Sequence, residues 1–319
     1  MPSGFGNLVN GRCYLAPLVD TIHELRDKIM LRHWDILKRT PFSHLMDIEP
    51  IVQERSILDA LMQAFDERTR TFKLGESHLH FRDKDVSLLL GLKMEEEYFT
   101  KSVDRNKDCS VRVLQGLVLK KDHKGEENFV KLLLIYIMGF LLFSILCCLA
   151  PEWLTHYVDD LSTLGEYAWV HVTHRFFMEI VPAVSSRVKD RCSSKLSSPG
   201  YLKGCAFPLS LWFYEVTRTR KRTYYGKSKR IVGCDESSFK KQSGAEAFME
   251  TLKGQKFFTL VPENEYEVDL IGSGKLDGRI TRRPVLESST TMQSSRLVKI
   301  RPGKEKEVVR EEFLLKKSR

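Results

Sequence analysis

From Leu132 to Ala150 the chain reads LLLIYIMGFLLFSILCCLA, apolar almost without a break, and Pro151 closes it. Nineteen residues of this kind meet the length a helix needs to cross a bilayer. They equally suit a helix buried on every side at the centre of a large helical domain. The flanks are compatible with both. Lys120, Lys121, Lys124 and Lys131 precede the run, and Glu152, Asp159 and Asp160 follow it, an asymmetry that would keep the N-side of a span cytoplasmic. Glu126 and Glu127 stand where acids favour a helix N-terminus.

The periodicity around this run is mostly helical. Ile22, Leu25 and Ile29, followed by Trp34 and Leu37, predict a helix over Leu18–Arg39, with Pro41 and Pro50 punctuating the link to the next. In Ile51–Arg68, Leu58, Leu61, Met62 and Phe65 fall on one helical face. Phe72/Leu74 and Leu79/Phe81 alternate with polar residues about Gly75-Glu76-Ser77, which predicts a β-hairpin. Asp83 then suits an N-cap for a helix Lys84–Leu90, and Gly91 suits its left-handed end. Beyond a charged, irregular stretch with a short ordered piece near Val111–Leu119, the apolar run begins. After it come a short helix over Trp153–Asp160 and a longer one from Ser162 or Thr163 through Tyr167, Trp169, Val172 and Phe176 to Ile180. Ser193–Gly200 reads as a loop. Tyr201–Val216 is apolar and aromatic, with a break expected at Pro208. A helix over Ala245–Leu252 and a strand-like Lys256–Val261 close the patterned part.

Charge is unevenly spread. The chain carries a net charge of +9, and between Lys275 and Arg319 thirteen Lys/Arg stand against six Asp/Glu. A basic balance favours acidic partners. The seven cysteines are odd in number and irregularly spaced, which argues against a disulfide framework and for reduced thiols. The N-terminus lacks the basic and apolar segments of a secretory signal.

Four pieces carry a family resemblance: RTPFSHLMD (Arg39–Asp47), FKLGESHLHFRDKDVSLLLGL, WLTHYVDDLSTLGEYAWVHVTHRFF and GYLKGCAFPLSLWFYEVT. Together they resemble the aminotransferase-like plant mobile domain and a related plant transposon-encoded domain often linked to a ubiquitin-like-specific cysteine protease. The resemblance covers roughly residues 30 to 265. It implies a mostly helical, nuclear, transposon-derived module, and a buried rather than membrane-spanning helix at 132–150. The aminotransferase label implies no mechanism here: no lysine lies in a context that marks a pyridoxal-phosphate Schiff base. A linked protease would lie beyond Arg319.

Patterns that would carry chemistry each fail at a named residue. His171 and His174 are one turn apart with Glu166 and Glu179 nearby, but no second pair or CxxC completes a metal site. They read better as histidines that cap, bond a backbone carbonyl or face water. Asp159-Asp160 lacks a third acid for a two-metal transposase centre; Asp160 is expected to cap the next helix or pair with Arg175. Gly272-Ser-Gly274-Lys275 fails as a phosphate loop because Asp269 stands where a Gly is required and Leu276 replaces Ser/Thr. The run RTRKRTYYGKSKR is the strongest functional signal. Arg218, Arg220, Lys221, Arg222, Lys227, Lys229 and Arg230 occur without an acid among them, and Tyr224 and Tyr225 offer stacking faces. That composition serves phosphate contact or nuclear localisation; the plainer reading is a solvated helix end or loop.

The expected protein is therefore mainly α: a flexible leader over 1–17, a single large helical domain over 18–265 with a small β-hairpin, and a flexible basic C-terminal tail over 266–319. No catalytic residue, metal or cofactor is assigned, and no small-molecule substrate. The partners expected are nucleic acid or nuclear proteins in the nucleus. The alternatives are a single-span membrane protein with its helix at 132–150, and a remnant of a transposase or protease-linked transposon protein.

Overall fold

The computed structural model describes residues 9–11, 15–49, 55–94, 108–119, 125–145, 149–151, 153–193, 199–204, 206–219, 229–232, 249–250 and 252–272. Everything beyond 272, including most of the expected tail, lies outside the described residues, as does most of the leader.

The fold is mostly helical with a small three-stranded antiparallel sheet. Strand β1 (Val9–Gly11) leads into α1 (Leu15–Arg26) and α2 (Leu31–Leu37). A single helix over Leu18–Arg39 was expected; the chain instead turns at Asp27–Lys28. The imidazole of His33 then accepts the Met30 N–H at 3.1 Å, supplying the side-chain acceptor that a new helix start needs. A short 3₁₀ turn, Ser43–Asp47, precedes α3 (Arg55–Ala64). Asp59 of α3 is buried because its Oδ1 accepts the Val9 N–H at 2.6 Å. That bond draws part of the expected leader into the domain, where β1 pairs in parallel with β7 (Gly200–Leu202).

Strands β2 (Phe65–Asp66), β3 (Thr71–Leu74) and β4 (Ser77–Leu79) form the sheet, with Phe72 opposite both Phe65 and Leu79. The expected hairpin is present, with Ser77 already inside its second strand. Helix α4 (Asp83–Leu90) ends at Gly91, whose φ of 67° is left-handed. Asp85 accepts the Arg82 N–H at 2.8 Å and caps the helix; Asp83 is turned to another use.

The long apolar run is not one helix. After β5 (Asp108–Ser110) and α5 (Val111–Val118), α6 spans Glu126–Ile137 and loosens into a π-helical turn, Met138–Leu142. There the Phe143 N–H reaches back five residues to the Met138 carbonyl at 2.9 Å. The chain leaves the helix at Phe143, and the Ser144 carbonyl accepts the Gly204 N–H at 2.6 Å. It returns as β6 (Leu149–Pro151), antiparallel to β5. A Cβ at Gly139 would lie 2.4 Å from that of Ala150, so this close return requires glycine.

Every residue from Leu133 to Ser144 is buried, under α1, α2, α5, α7 (Leu154–Val158) and β6. Each large apolar side chain so buried contributes about 1.5–3 kcal/mol. Among the described residues no helix is long and apolar enough to cross a membrane. The one helix expected over 132–150 is corrected: the described residues of the stretch form a helix, a π-turn and a strand.

A 3₁₀ turn (Leu164–Glu166), α8 (Trp169–Met178), α9 (Val181–Ser193) and α10 (Ala206–Thr217) follow. Helix α8 starts later than expected, where the Trp169 indole N–H bonds the Leu164 carbonyl at 2.7 Å. Helix α10 is the second core helix, and Phe72 and Phe81 pack on its Trp212, with ring centroids 5.4 and 5.7 Å apart. No break occurs at Pro208. It stands in the first turn, where its missing N–H would have had no helical partner. Residues 252–263 contain no strand, in contrast to the strand-like segment expected over Lys256–Val261. Helix α11 (Glu265–Ile271), capped by Asn264, runs from the last residue of the expected domain into the expected tail.

Candidate functional site

Among the described residues, charged side chains gather in three places. The first joins α4 to α8. His171 and His174 lie one turn apart on α8, and both face the Asp83 carboxylate. His171 Nδ1 is 2.9 Å from Oδ2, and His174 Nδ1 pairs with Oδ1. The other ring nitrogen of His174 donates to the Phe81 carbonyl at 2.9 Å. Burial works against the charge on Asp83, but hydrogen bonds and charge from the two histidines outweigh it and hold the carboxyl down at about 2. Two residues on, burial pushes Asp85 up to about 6 against the pull of the Arg82 N–H and the cations Lys84 and Arg82. The histidines thus bond a carboxylate and a carbonyl, and no group among the described residues could hold a metal ion. Asp160 accepts the Ser162 N–H and hydroxyl at 2.9 and 2.6 Å and caps the following turn. Its other expected partner, Arg175, pairs with Glu179.

The second place is where the basic run meets the domain. Arg220, Lys221, Arg222 and Lys227 lie outside the described residues, while Arg218, Lys229 and Arg230 lie within them. Arg218 ends α10 with a left-handed φ of 50°. It is exposed, and its guanidinium sits 3.6 Å from the Phe258 ring centroid. Next to it the Phe258 N–H donates to the Val216 carbonyl at 2.8 Å.

Lys229 and Arg230 are drawn inward. Lys229 lays its stem over Gly91, where an added Cβ would meet Cδ at 2.7 Å, and holds its ammonium 5.2 Å from the Tyr266 ring centroid. Burial lowers its amine to about 8. The Tyr266 hydroxyl donates to the Gly91 carbonyl at 2.9 Å; burial and the Glu267 charge push it up to about 12. Nearby His44 is buried, and its Nε2 donates to the Leu90 carbonyl at 2.7 Å. Burial and the Lys229 charge lower it to about 3, so the ring is neutral.

Arg230 is buried with Glu267. Its Nε and one terminal nitrogen reach the two Glu267 oxygens, each at 2.7 Å. The same terminal nitrogen donates to the Val261 carbonyl at 2.6 Å, and the other lies 3.6 Å from Glu215. Fork-to-fork geometry of this kind is what arginine supplies and lysine cannot. In the sequence Arg230 looks like any other cation of the run. Its partner lies 37 residues on, and no local pattern marks the pair. Glu267 and Tyr266 are the residues at this joint that sequence reasoning missed.

An open cleft of about 560 Å³ lies beside the sheet, and its lining includes Lys73, His78, Lys189, Asp66, Glu67 and Glu250. Lys189 is engaged with the Phe65 carbonyl at 2.5 Å, and Asp66 caps the Arg68–Thr69 turn.

A family model described as a domain of unknown function (DUF8566) matches residues 11–210. That span takes in Asp83, His171 and His174 and stops short of Arg218. Neither a curated protein nor a solved structure matches the chain.

Proposed function

We propose that this chain, which belongs to the DUF8566 family, is a non-catalytic nuclear module of plant-mobile-domain type, transposon-derived, that contacts nucleic acid through its basic run. One observation carries the reading. The run of seven cations without an acid is fixed to the domain at both of its described ends. Arg218 stacks on Phe258 at the exit, and Arg230 bonds Val261 and Glu267 at the return. A basic segment with both ends fixed loses less conformational freedom on binding than a free tail.

The cations divide into two kinds. Arg230 and Lys229 serve the domain, the one neutralised by Glu267 and the other laid over Gly91. Phosphate contact falls to Arg218, Arg220, Lys221, Arg222 and Lys227, with Tyr224 and Tyr225 for stacking on unpaired bases.

The test is binding of labelled duplex DNA and single-stranded RNA by the full chain, followed by fluorescence anisotropy across a salt series. Each duplex phosphate contact adds about 0.9 to the slope of log affinity on log salt, and each single-strand contact about 0.7. Changing Arg220, Lys221, Arg222 and Lys227 together to Gln lowers that slope by about 3 without altering the circular dichroism spectrum. Absence of binding at low salt, or equal slopes for the two proteins, overturns the reading.

A further inference from the structure

The environment of His174 sets its protonation state by hydrogen-bond accounting. A backbone carbonyl can only accept, and so can an ionised carboxylate. His174 meets the first with Nε2 and the second with Nδ1. Facing an ionised Asp83, both contacts are complete only when each ring nitrogen carries a hydrogen. His171 adds a second donor to the same carboxylate. Two histidines on one carboxylate are the reason Asp83 is held ionised.

We propose that His174, clamped between Asp83 and the Phe81 carbonyl, is a proton-operated latch that ties the β4–α4 junction to α8. With both ring protons present, the latch is closed. When one leaves, a nitrogen lone pair faces either the Phe81 oxygen or an Asp83 oxygen, and acceptor stands against acceptor. The junction then loses one charge-assisted bond and the charge pairing together. Phe81 feels this directly, since its ring packs edge-on against His174 at 5.4 Å and against Trp212 at 5.7 Å.

The surrounding charges leave that role to His174. On the junction side stand His80, Arg82, Lys84 and Asp85, and Asp85 is held by the Arg82 N–H. On α8 itself, Arg175 is paired with Glu179. From α9, Lys189 is taken by the Phe65 carbonyl, and from the sheet Arg70 reaches the Met178 carbonyl at the far end of α8. From α10, the Trp212 ring packs on Phe81, while Glu215 turns to Arg230. On α11, Tyr266 and Glu267 engage the opposite end of α4 and Arg230.

Side-chain nitrogen NMR of the full chain reads His174 directly, and thermal unfolding across pH reads the latch. Both nitrogens of His174 should carry protons in the closed state. The Tm should fall by about 5 °C over the same pH interval in which the NMR shows one proton leaving. In His174→Gln the amide N–H groups donate without titrating, so the part of the fall that tracks the His174 proton disappears while the Asp85 part remains. A single protonated nitrogen throughout the range overturns the proposal on the native chain alone, with no variant needed. So does a His174→Gln profile parallel to the native one.

Discussion

Arg230 and Glu267 form a two-pronged ion pair with both contacts at 2.7 Å, and the two side chains are only 5% and 4% exposed. Such a pair costs much to desolvate, and removing one partner strands the other charge. Arg230→Ala or Glu267→Ala should each lower unfolding free energy by about 3–5 kcal/mol, measured by urea denaturation. The double change Arg230→Met with Glu267→Leu should recover most of that loss. A single-variant loss below about 1 kcal/mol, the range of surface pairs, would show that the pair is not buried in solution.

Gly91 carries two demands at once: a left-handed φ of 67° and room for the Lys229 stem. A left-handed non-glycine residue costs about 1–2 kcal/mol. Gly91→Ala should cost more than that, because its Cβ also displaces Lys229. Adding Lys229→Ala should return the excess and leave only the backbone part. Equal costs in the single and double backgrounds would place Lys229 away from Gly91.

The turn at Gly91 was legible in the sequence because a glycine after an apolar helix is a local signal. So were the hairpin at 71–79 and the start of α4. The residues that set stability were not, for a common reason. Nothing near Arg230 in the chain points to Glu267, and nothing near Gly139 points to Ala150. A run apolar on all faces has no period to show where its helix stops; Leu142 is the end only because β6 and Gly204 arrive there. Pro208 was misread because its effect depends on where α10 begins, which the loop before it obscures. The break between α1 and α2 is made by an imidazole, without Gly or Pro. Asp83, a plausible cap by position, left capping to Asp85 because two histidines on another helix claimed it.

Acid stability follows from two buried groups, His44 and Asp85, and the half-buried Asp83. His44 is held neutral at about 3, below its ordinary 6.5, so the unfolded chain binds its proton first. Its stabilising contribution, on the order of 4 kcal/mol, is therefore lost as pH falls from 6.5 towards 3. Asp85, raised to about 6, has the opposite sign. Its contribution is present below about 4 and is lost as pH rises to 6, roughly 3 kcal/mol in all. The two nearly cancel between pH 6 and 4. Below 4 His44 acts with Asp83, whose carboxyl at about 2 adds a further loss as pH falls towards that value, and stability collapses.

Asp85→Asn exposes this balance. The amide oxygen still accepts the Arg82 N–H, but no buried charge forms. The variant should be more stable than the native chain at pH 7 by about 2–3 kcal/mol, and the difference should vanish below pH 4. Denaturation at pH 7, 5 and 3.5 checks this. A variant less stable at pH 7 would mean that Asp85 is not buried.

Packing between the apolar run and β6 is tested by Gly139→Ala, whose Cβ would stand 2.4 Å from that of Ala150. Overpacking at such a contact costs about 1–3 kcal/mol, and Ala150→Gly in the same chain should relieve it. No relief in the double variant would contradict the pairing of β6 with the π-turn.

The apolar run is the core of this domain, and hydrogen exchange read by mass spectrometry tests that most directly. In buffer without detergent, amides from Phe129 to Phe143 should be among the slowest in the chain, opening only with global unfolding. Rapid exchange there without detergent, or protection that arises only in micelles, would contradict the account and return the run to a membrane.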